Sequence, residues 1–262
     1  MKKSSRGVVR RAIVTPDKHF PVADMKAIDA VCQAIEIVKP DTYIDLGDTG
    51  DWEKFSNHYW KNREKPPMSI LYKMYDKEIR QVNDGMDIID KALDNVKCKE
   101  RHFLEGNHEQ WLDNVVIKYP YLTHYKPENA LRLEERGYKY WPRIGKDLEI
   151  GKITFIHGKY VPIHHAKKHV VKYKCNIIYG HTHDVQRFTD TKKKHEVVTA
   201  WSLGCLKDLS PAKNGWLNGN LTNWSHAFAI VDWFSNGEFK VEVVEIKKGR
   251  TTVWGNLIEG GK

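Results

Sequence analysis

The stretch Ile177-Ile178-Tyr179-Gly180-His181-Thr182-His183 is a short apolar run that stops at a glycine and then shows two histidines one residue apart. It reads as a buried strand with a loop at its end. Side chains at i and i+2 of an extended segment point the same way, and a bend at Gly180 could bring them to two points of one site. Imidazole is the commonest metal-ligating side chain near neutral pH. An isolated His-x-His is equally compatible with two surface histidines.

Four other runs end in the same manner. Arg11 to Pro16 leads to Asp17-Lys18-His19, and Thr42 to Leu46 leads to Gly47-Asp48-Thr49-Gly50-Asp51. Arg101 to Glu105 leads to Gly106-Asn107-His108-Glu109, and Ile153 to Ile156 leads to His157-Gly158. In an α/β sheet the ligand crevice lies outside the carboxyl ends of the strands. The residues collected there are Asp17, His19, Asp48, Asn107, His108, His157, His181 and His183. Imidazoles, carboxylates and one amide oxygen suit Mn, Fe or Zn better than Ca or a thiolate metal.

The ordered series Asp17-x-His19, Gly47-Asp48-x-x-Asp51, Gly106-Asn107-His108-Glu109, His157 and Gly180-His181-x-His183 resembles the calcineurin-like metallophosphoesterases. The motifs run from residue 17 to 183. The resemblance implies an α/β fold, a four-layer β-sandwich flanked by helices, as a single domain over residues 1–262. Residues 52–98 would be a helical insertion, with no separate cap domain. It implies two divalent cations, manganese first, with Fe, Zn, Ni or Mg as alternatives. Asp17, His19 and His183 would hold one, Asn107, His157 and His181 the other, and Asp48 would bridge them. A hydroxide shared by the two metals would attack phosphorus in line. His108, not itself a ligand, would protonate the leaving oxygen, and Asp51 would orient a ligand from behind.

The form Gly-Asn-His-Glu is the one seen in Ser/Thr phosphoprotein phosphatases. Those enzymes also carry an arginine just after the second aspartate motif and another just before Gly-Asn-His. Here those places read Asp51-Trp52 and Leu104-Glu105, so a phosphomonoester dianion lacks its clamp. A diester carries one charge less. The expected function is therefore a phosphodiesterase or nuclease acting on nucleic acid, DNA included. A phosphomonoesterase, or a non-catalytic binding module on the same fold, are the other two readings. Ala200 to Leu206 loosely resembles a stretch of phage-encoded members.

Length and composition agree with a soluble protein of one large α/β domain. The 262 residues are 40% hydrophobic and 29% charged, enough for a full core. No run is long and apolar enough to span a bilayer, and no signal-type apolar segment follows Met1 to Arg6. Cys32, Cys98, Cys175 and Cys205 are far apart and read as reduced thiols in a cytosol, the host's if the chain is phage-encoded. The 43 Lys+Arg against 34 Asp+Glu leave a net charge of +9, which favours polyanionic partners. Trp52 to Pro67 mixes aromatics with cations, which suits stacking on bases and contact with phosphates or, equally, a helix packed on the sheet. Trp52, Lys54, His58 and Arg63 are the candidate substrate contacts.

Along the chain, residues 1–9 read as a loose basic arm, 10–15 as a strand and 23–38 as an amphipathic helix ended by Pro40. A parallel strand follows. Residues 69–96 carry a helical repeat, and 109–118 and 129–136 read as shorter helices. Residues 147–150 and 152–156 read as strands joined at Gly151. His164 and His165 open a basic helix, where they are expected to be solvated. Strands follow at 185–189, 195–202, 227–233 and 238–246, with a hairpin turn at Asn236-Gly237. Leu209 to Asn223 is expected to be a loop at the mouth of the site.

Overall fold

The structure is a computed structural model and describes residues 7–191 and 196–261. Most of the expected basic arm and His195 lie outside the described residues. Strand β1 (Val8–Thr15) leads to helix α1 (Met25–Val38). Asp24 caps α1 by accepting from the Lys26 and Ala27 amides, which would otherwise be orphan donors. The helix stops at Lys39 in the left-handed region, just before Pro40. Strand β2 (Thr42–Asp45) then pairs parallel to β1.

The insertion folds as a one-turn helix α2 (Asn57–Trp60) and a 28-residue helix α3 (Met68–Asn95). Strand β3 (Glu100–Leu104) returns parallel to β2. After α4 (Gln110–Lys118) and α5 (Pro127–Ala130), β4 (Tyr138–Trp141) extends the sheet in parallel. The helix expected over 129–136 is shorter and earlier, because Pro127 starts it and Arg132 takes a positive φ of 53°.

The second sheet is built from β5 (Leu148–Ile150), β6 (Ile153–Phe155), β7 (Asn176–Tyr179), β8 (Val185–Thr191) and β9 (Val197–Leu203). Helix α6 (His165–Tyr173) connects β6 to β7. The order is β5-β6-β7-β9-β8, with β6, β7 and β9 parallel. Strands β10 (His226–Phe234) and β11 (Phe239–Ile246) rejoin the first sheet, whose order becomes β11-β10-β1-β2-β3-β4. A ribbon of β12 (Arg250–Val253) and β13 (Asn256–Glu259), not anticipated from sequence, buries Val253 and Ile258 in the same core as α1.

Alternation along each strand creates four layers. Ile13, Tyr43, Phe103 and Phe228 face α1 and α3. Their neighbours Ala12, Val14, Ile44, Leu104 and Ala229 face the second sheet, meeting Phe155, Ile178 and Leu203. Ile177 and Tyr179 point the other way, onto Ala166 and Val170 of α6. Each fully buried aliphatic or Phe side chain contributes about 1.5–3 kcal/mol, so the sheet-to-sheet core fixes where the strand ends meet. Among the described residues no helix is long and apolar enough to cross a membrane.

One expectation is corrected here. His165 is buried, with Nδ1 2.5 Å from the Tyr179 hydroxyl and Nε2 2.8 Å from Asp184 Oδ1. His169 is buried as well, stacked on Tyr179 at 3.9 Å. The basic residues between them carry the solvated face of α6, while the histidines face β7.

Candidate metal centre

The parallel strands of both sheets end at one place. The loops there are held together by backbone. Asp48 O accepts from the Lys18 and His19 amides, both at 3.0 Å, which ties the loop after β1 to the loop after β2. Glu109, fully buried, ties the loop after β2 to the loop after β3. Its Oε2 accepts from the Asp48 and Gly106 amides at 2.8 and 3.0 Å. Its Oε1 accepts from the Thr49 amide and the Trp52 indole, both at 3.0 Å, and from the Gly50 amide at 3.3 Å. Glycines allow the closest approaches. A Cβ on Gly106 would stand 2.1 Å from Asp48 Oδ1, and one on Gly180 would stand 2.1 Å from Asp17 Oδ1. His19, Asp48, His181 and His183 all have positive φ, between 47° and 72°. Such conformations in non-glycine residues are costly and gather at functional sites.

On this frame the side chains converge in three overlapping groups. They are Asp17 with His19 and His183, His19 with Asp48 and His108, and Asp48 with His157 and His181. Within each group the donor atoms lie within 4.8 Å of one another. His183 Nε2 is 3.2 Å from Asp17 Oδ2 and 3.1 Å from His19 Nε2. His157 Nε2 is 3.3 Å from Asp48 Oδ2 and 3.0 Å from Asn107 Oδ1. His19 and Asp48 each belong to two of these groups, His108 belongs to one, and Asn107 joins them through His157.

The donor set fits cations. His157 Nδ1 donates to Leu46 O at 2.8 Å, and His19 Nδ1 donates to Asp51 Oδ1 at 3.0 Å. Both rings thus have their outer nitrogen occupied and turn Nε2 inward, the arrangement that orients metal-binding imidazoles. Burial would raise Asp17, yet His157 and His183 bring it down to about 2. Asp48, equally buried, is held well below the ordinary carboxylate range by His157 and His108. Burial, helped by the neighbouring histidines and opposed by the nearby carboxylates, pushes His19 and His181 down to about 4. Burial also lowers His157, but Asp48 and Asp17 outweigh it and carry it up to about 9. The ionised carboxylates and the neutral imidazoles of His19 and His181 are in the states that a cation requires, whereas His157 would release its proton on binding one.

Asp51 stands behind His19 and also pairs with Lys207 Nζ at 3.0 Å. Burial would raise Asp51, but its hydrogen bond to His19 and the charge of Lys207 hold it low. His108 is fixed twice. Its amide donates to Asp48 Oδ1 at 2.8 Å and its Nδ1 donates to Asp51 O at 2.7 Å. Its Nε2 is left 3.9 Å from Asp48 Oδ2.

A cavity of about 990 Å³ opens over these residues. Of the four candidate substrate contacts, His58 and Arg63 line it. Trp52 does not: it is fully buried and its indole serves Glu109, so the aromatic that seemed to face substrate instead stiffens the Asp48 loop. Lys54 is spent on Glu53 and the Tyr59 ring and lies outside the lining. The loop at 209–223 does reach the mouth, through Lys213 and Trp216. Sequence reasoning missed Lys207, Trp111 and Trp224, all of which line the cavity. It also quoted Glu109 without giving it a task.

No family model matches the chain. The chain is similar to the Gene 54 protein of Mycobacterium phage D29, 26% identical over 272 residues, covering 95% of this chain and 99% of that one. The Gene 54 protein of Mycobacterium phage L5 is 24% identical over 271 residues, with the same coverage. Among solved structures, it is similar to Vacuolar Protein Sorting 29 from Cryptosporidium parvum at a TM-score of 0.49 and 12% identity, over 97% of this chain and 100% of that one. A dimetal phosphatase from Danio rerio aligns at 0.45 and 12%, over 97% and 100%. A nuclease from Pseudomonas putida aligns at 0.38 and 11%, over 88% and 87%.

Proposed function

We propose that this chain is a calcineurin-like metallophosphoesterase that holds two divalent cations and hydrolyses phosphodiesters of nucleic acid. The observation that carries the reading is the convergence of Asp17, His19, Asp48, Asn107, His157, His181 and His183 at the strand ends of two facing sheets. Asp17, His19 and His183 would hold one cation, Asn107, His157 and His181 the other, with Asp48 shared. Imidazoles, carboxylates and one amide oxygen suit Mn, Fe or Zn, and manganese is the one the family resemblance puts first. Bound there, the cations would neutralise phosphate oxygens and lower the pKa of water.

The chain's own groups supply the rest. Leu46 O and Asp51 orient the imidazoles of His157 and His19 from behind. With its Nδ1–H held by Asp51 O, His108 would donate from Nε2 to the leaving oxygen as the doubly protonated imidazolium and be left as the neutral ring with Nδ1–H. Asn107 and His108 are consecutive, so the proton donor stands at the depth of the site. The positions that would carry a phosphomonoester clamp hold Trp52, buried against Glu109, and Glu105, which accepts from the Arg143 amide at 2.7 Å. Lys207, a cation of the cavity lining, is paired with Asp51. A singly charged diester suits this wall better than a dianion. The net charge of +9 favours a polyanion, and the phage relatives fit action in a host cytoplasm.

Protein loaded with Mn should turn over bis-p-nitrophenyl phosphate faster than p-nitrophenyl phosphate, and elemental analysis should find two ions per chain. Much faster turnover of the monoester, or a single ion, overturns the reading.

A further inference from the structure

The cavity over the metal centre is walled by aromatic rings at both ends. A row of ring contacts runs across its floor. Trp111 lies 4.0 Å from His108, His108 lies 4.6 Å from His19, and His19 lies 5.0 Å from His183. Trp224 follows at 4.6 Å from His183, and Trp216 at 5.8 Å from Trp224. Trp111, Trp224 and Trp216 all line the same cavity. The proton donor His108 belongs to one end of the row, so Trp111 flanks the leaving group. Trp224 and Trp216 flank the group that stays on phosphorus.

Trp216 is 64% exposed, a large apolar ring left in water beside the site. Its presentation is built. Asn214, buried, donates to Asp208 O at 2.7 Å and to Ser210 O at 3.0 Å, which pins the loop just before Trp216. Lys213 of the same loop also lines the cavity. On the facing wall Arg63 lies over the Tyr59 ring at 4.1 Å. Rings interleaved with cations are the surface on which unpaired bases stack while the backbone is tracked.

We propose that Trp224 and Trp216 form a stacking platform for the unpaired base attached to the retained side of the scissile phosphate, which makes single-stranded nucleic acid the substrate class. The inference rests on the phosphodiesterase reading above. A base in a duplex is covered on both faces by its neighbours and has no free face for a ring beside His183. An unpaired base, one sugar away from the reacting phosphorus, reaches Trp224 directly. The order of contacts also sets direction: the strand passes from Trp111, past the metal centre, to Trp216.

The test compares two diesters with one leaving group, thymidine 5′-(p-nitrophenyl phosphate) and methyl p-nitrophenyl phosphate, on the Mn-loaded protein. They differ only on the retained side. The thymidine ester should have a kcat/KM roughly tenfold or more above the methyl ester, given the strength of base–aromatic stacking. Trp216→Ala and Trp224→Ala should each lower that ratio, and the double variant should bring it near one. Trp216 is exposed, so its variant keeps the core intact, and a ratio of two rates cancels any general loss at Trp224. Binding gives a second readout: Mn-loaded His108→Ala should hold labelled oligothymidylate more tightly than the same strand in a duplex, and Trp216→Ala should weaken the single-strand complex. Equal rates on the two esters in the wild type, or equal binding of strand and duplex, overturn the platform while leaving the phosphodiesterase reading in place. If neither ester is hydrolysed, the phosphodiesterase reading itself fails.

Discussion

Gly106 shows how much of the centre depends on single positions. With no side chain, it lets the Asp48 carboxylate and amide come against the loop after β3. A Cβ there would meet Asp48 Oδ1 at 2.1 Å and Asp48 N at 2.3 Å. The second of these is backbone and cannot swing away. Gly106→Ala should therefore displace Asp48, and elemental analysis of the purified variant should find fewer than two ions per chain. A variant that keeps both ions would show that the loops yield more easily than their hydrogen bonds suggest. His108→Ala makes the complementary case, because the hydrogen bond from His108 to Asp48 comes from its amide at 2.8 Å, which alanine retains, while its ring stands 3.9 Å away. Both ions should stay bound while kcat falls by roughly 10²–10⁴ for an alkoxide leaving group. Preserved turnover would remove the proton-donor role. The seven candidate ligand positions were legible because each follows an apolar run by one to a few residues. Glu109 and Trp52 were not, since a carboxylate that gathers amides from positions 48 to 50 has no local signature. His165 misled for a related reason: its basic neighbours are solvated, but helical spacing turns it, together with His169, onto Tyr179.

At the scale of elements, α3 does more than cover the first sheet. Glu78, buried on this helix, accepts from the Glu53 and Lys54 amides at 2.7 and 3.1 Å and so anchors the turn that follows the Asp48 loop. Burial outweighs those two hydrogen bonds and pushes its carboxyl up to about 7. The native state keeps this proton up to about pH 7, whereas an unfolded glutamate loses it near 4.5. Between those values the unfolded chain binds fewer protons, so this group's contribution declines as pH rises, by about 3 kcal/mol in all. Glu78→Gln removes the titration. The stability difference between variant and wild type, from urea unfolding at pH 5 and pH 8, should shift in the variant's favour at the higher pH. Parallel behaviour at both values would mean that the carboxyl is already ionised at pH 5. The helical repeat of α3 was plain in the sequence, as was that of α1. The short helix α5 was misplaced, because Pro127 and Arg132 decide its ends through backbone conformation instead of periodicity. The ribbon β12–β13 was missed because only Val253 and Ile258 of its eight residues are buried, too few for an alternating pattern.

For the whole molecule, the decisive fact is which sheet supplies which ligand. Asp17, His19, Asp48 and Asn107 leave the strands of the six-stranded sheet, whereas His157, His181 and His183 leave those of the five-stranded sheet. The core between the sheets aligns the strand ends, and bound cations would then join the two sheets at that edge. That division was readable only in part: sequence order separates residues 17–108 from 157–183, but nothing local says that β10 and β11 return to the first sheet. Cations held by both sheets bind the native state and not the unfolded chain, so they stabilise by mass action. At a thousandfold excess over Kd one site contributes about 4 kcal/mol. For a chain of this size that corresponds to a rise in Tm on the order of 10 °C. EDTA should lower the melting temperature by about that amount and Mn should restore it. Asp48→Asn, which removes the carboxylate shared by both sites, should melt at nearly the same temperature with either addition. Gly237, at the distant β10–β11 turn, has open space where a Cβ would stand. A change there should leave the EDTA response intact, even though its positive φ of 81° makes any other residue strained. A wild-type Tm indifferent to EDTA would mean that no cation spans the sheets, and the shared-carboxylate arrangement would have to be abandoned.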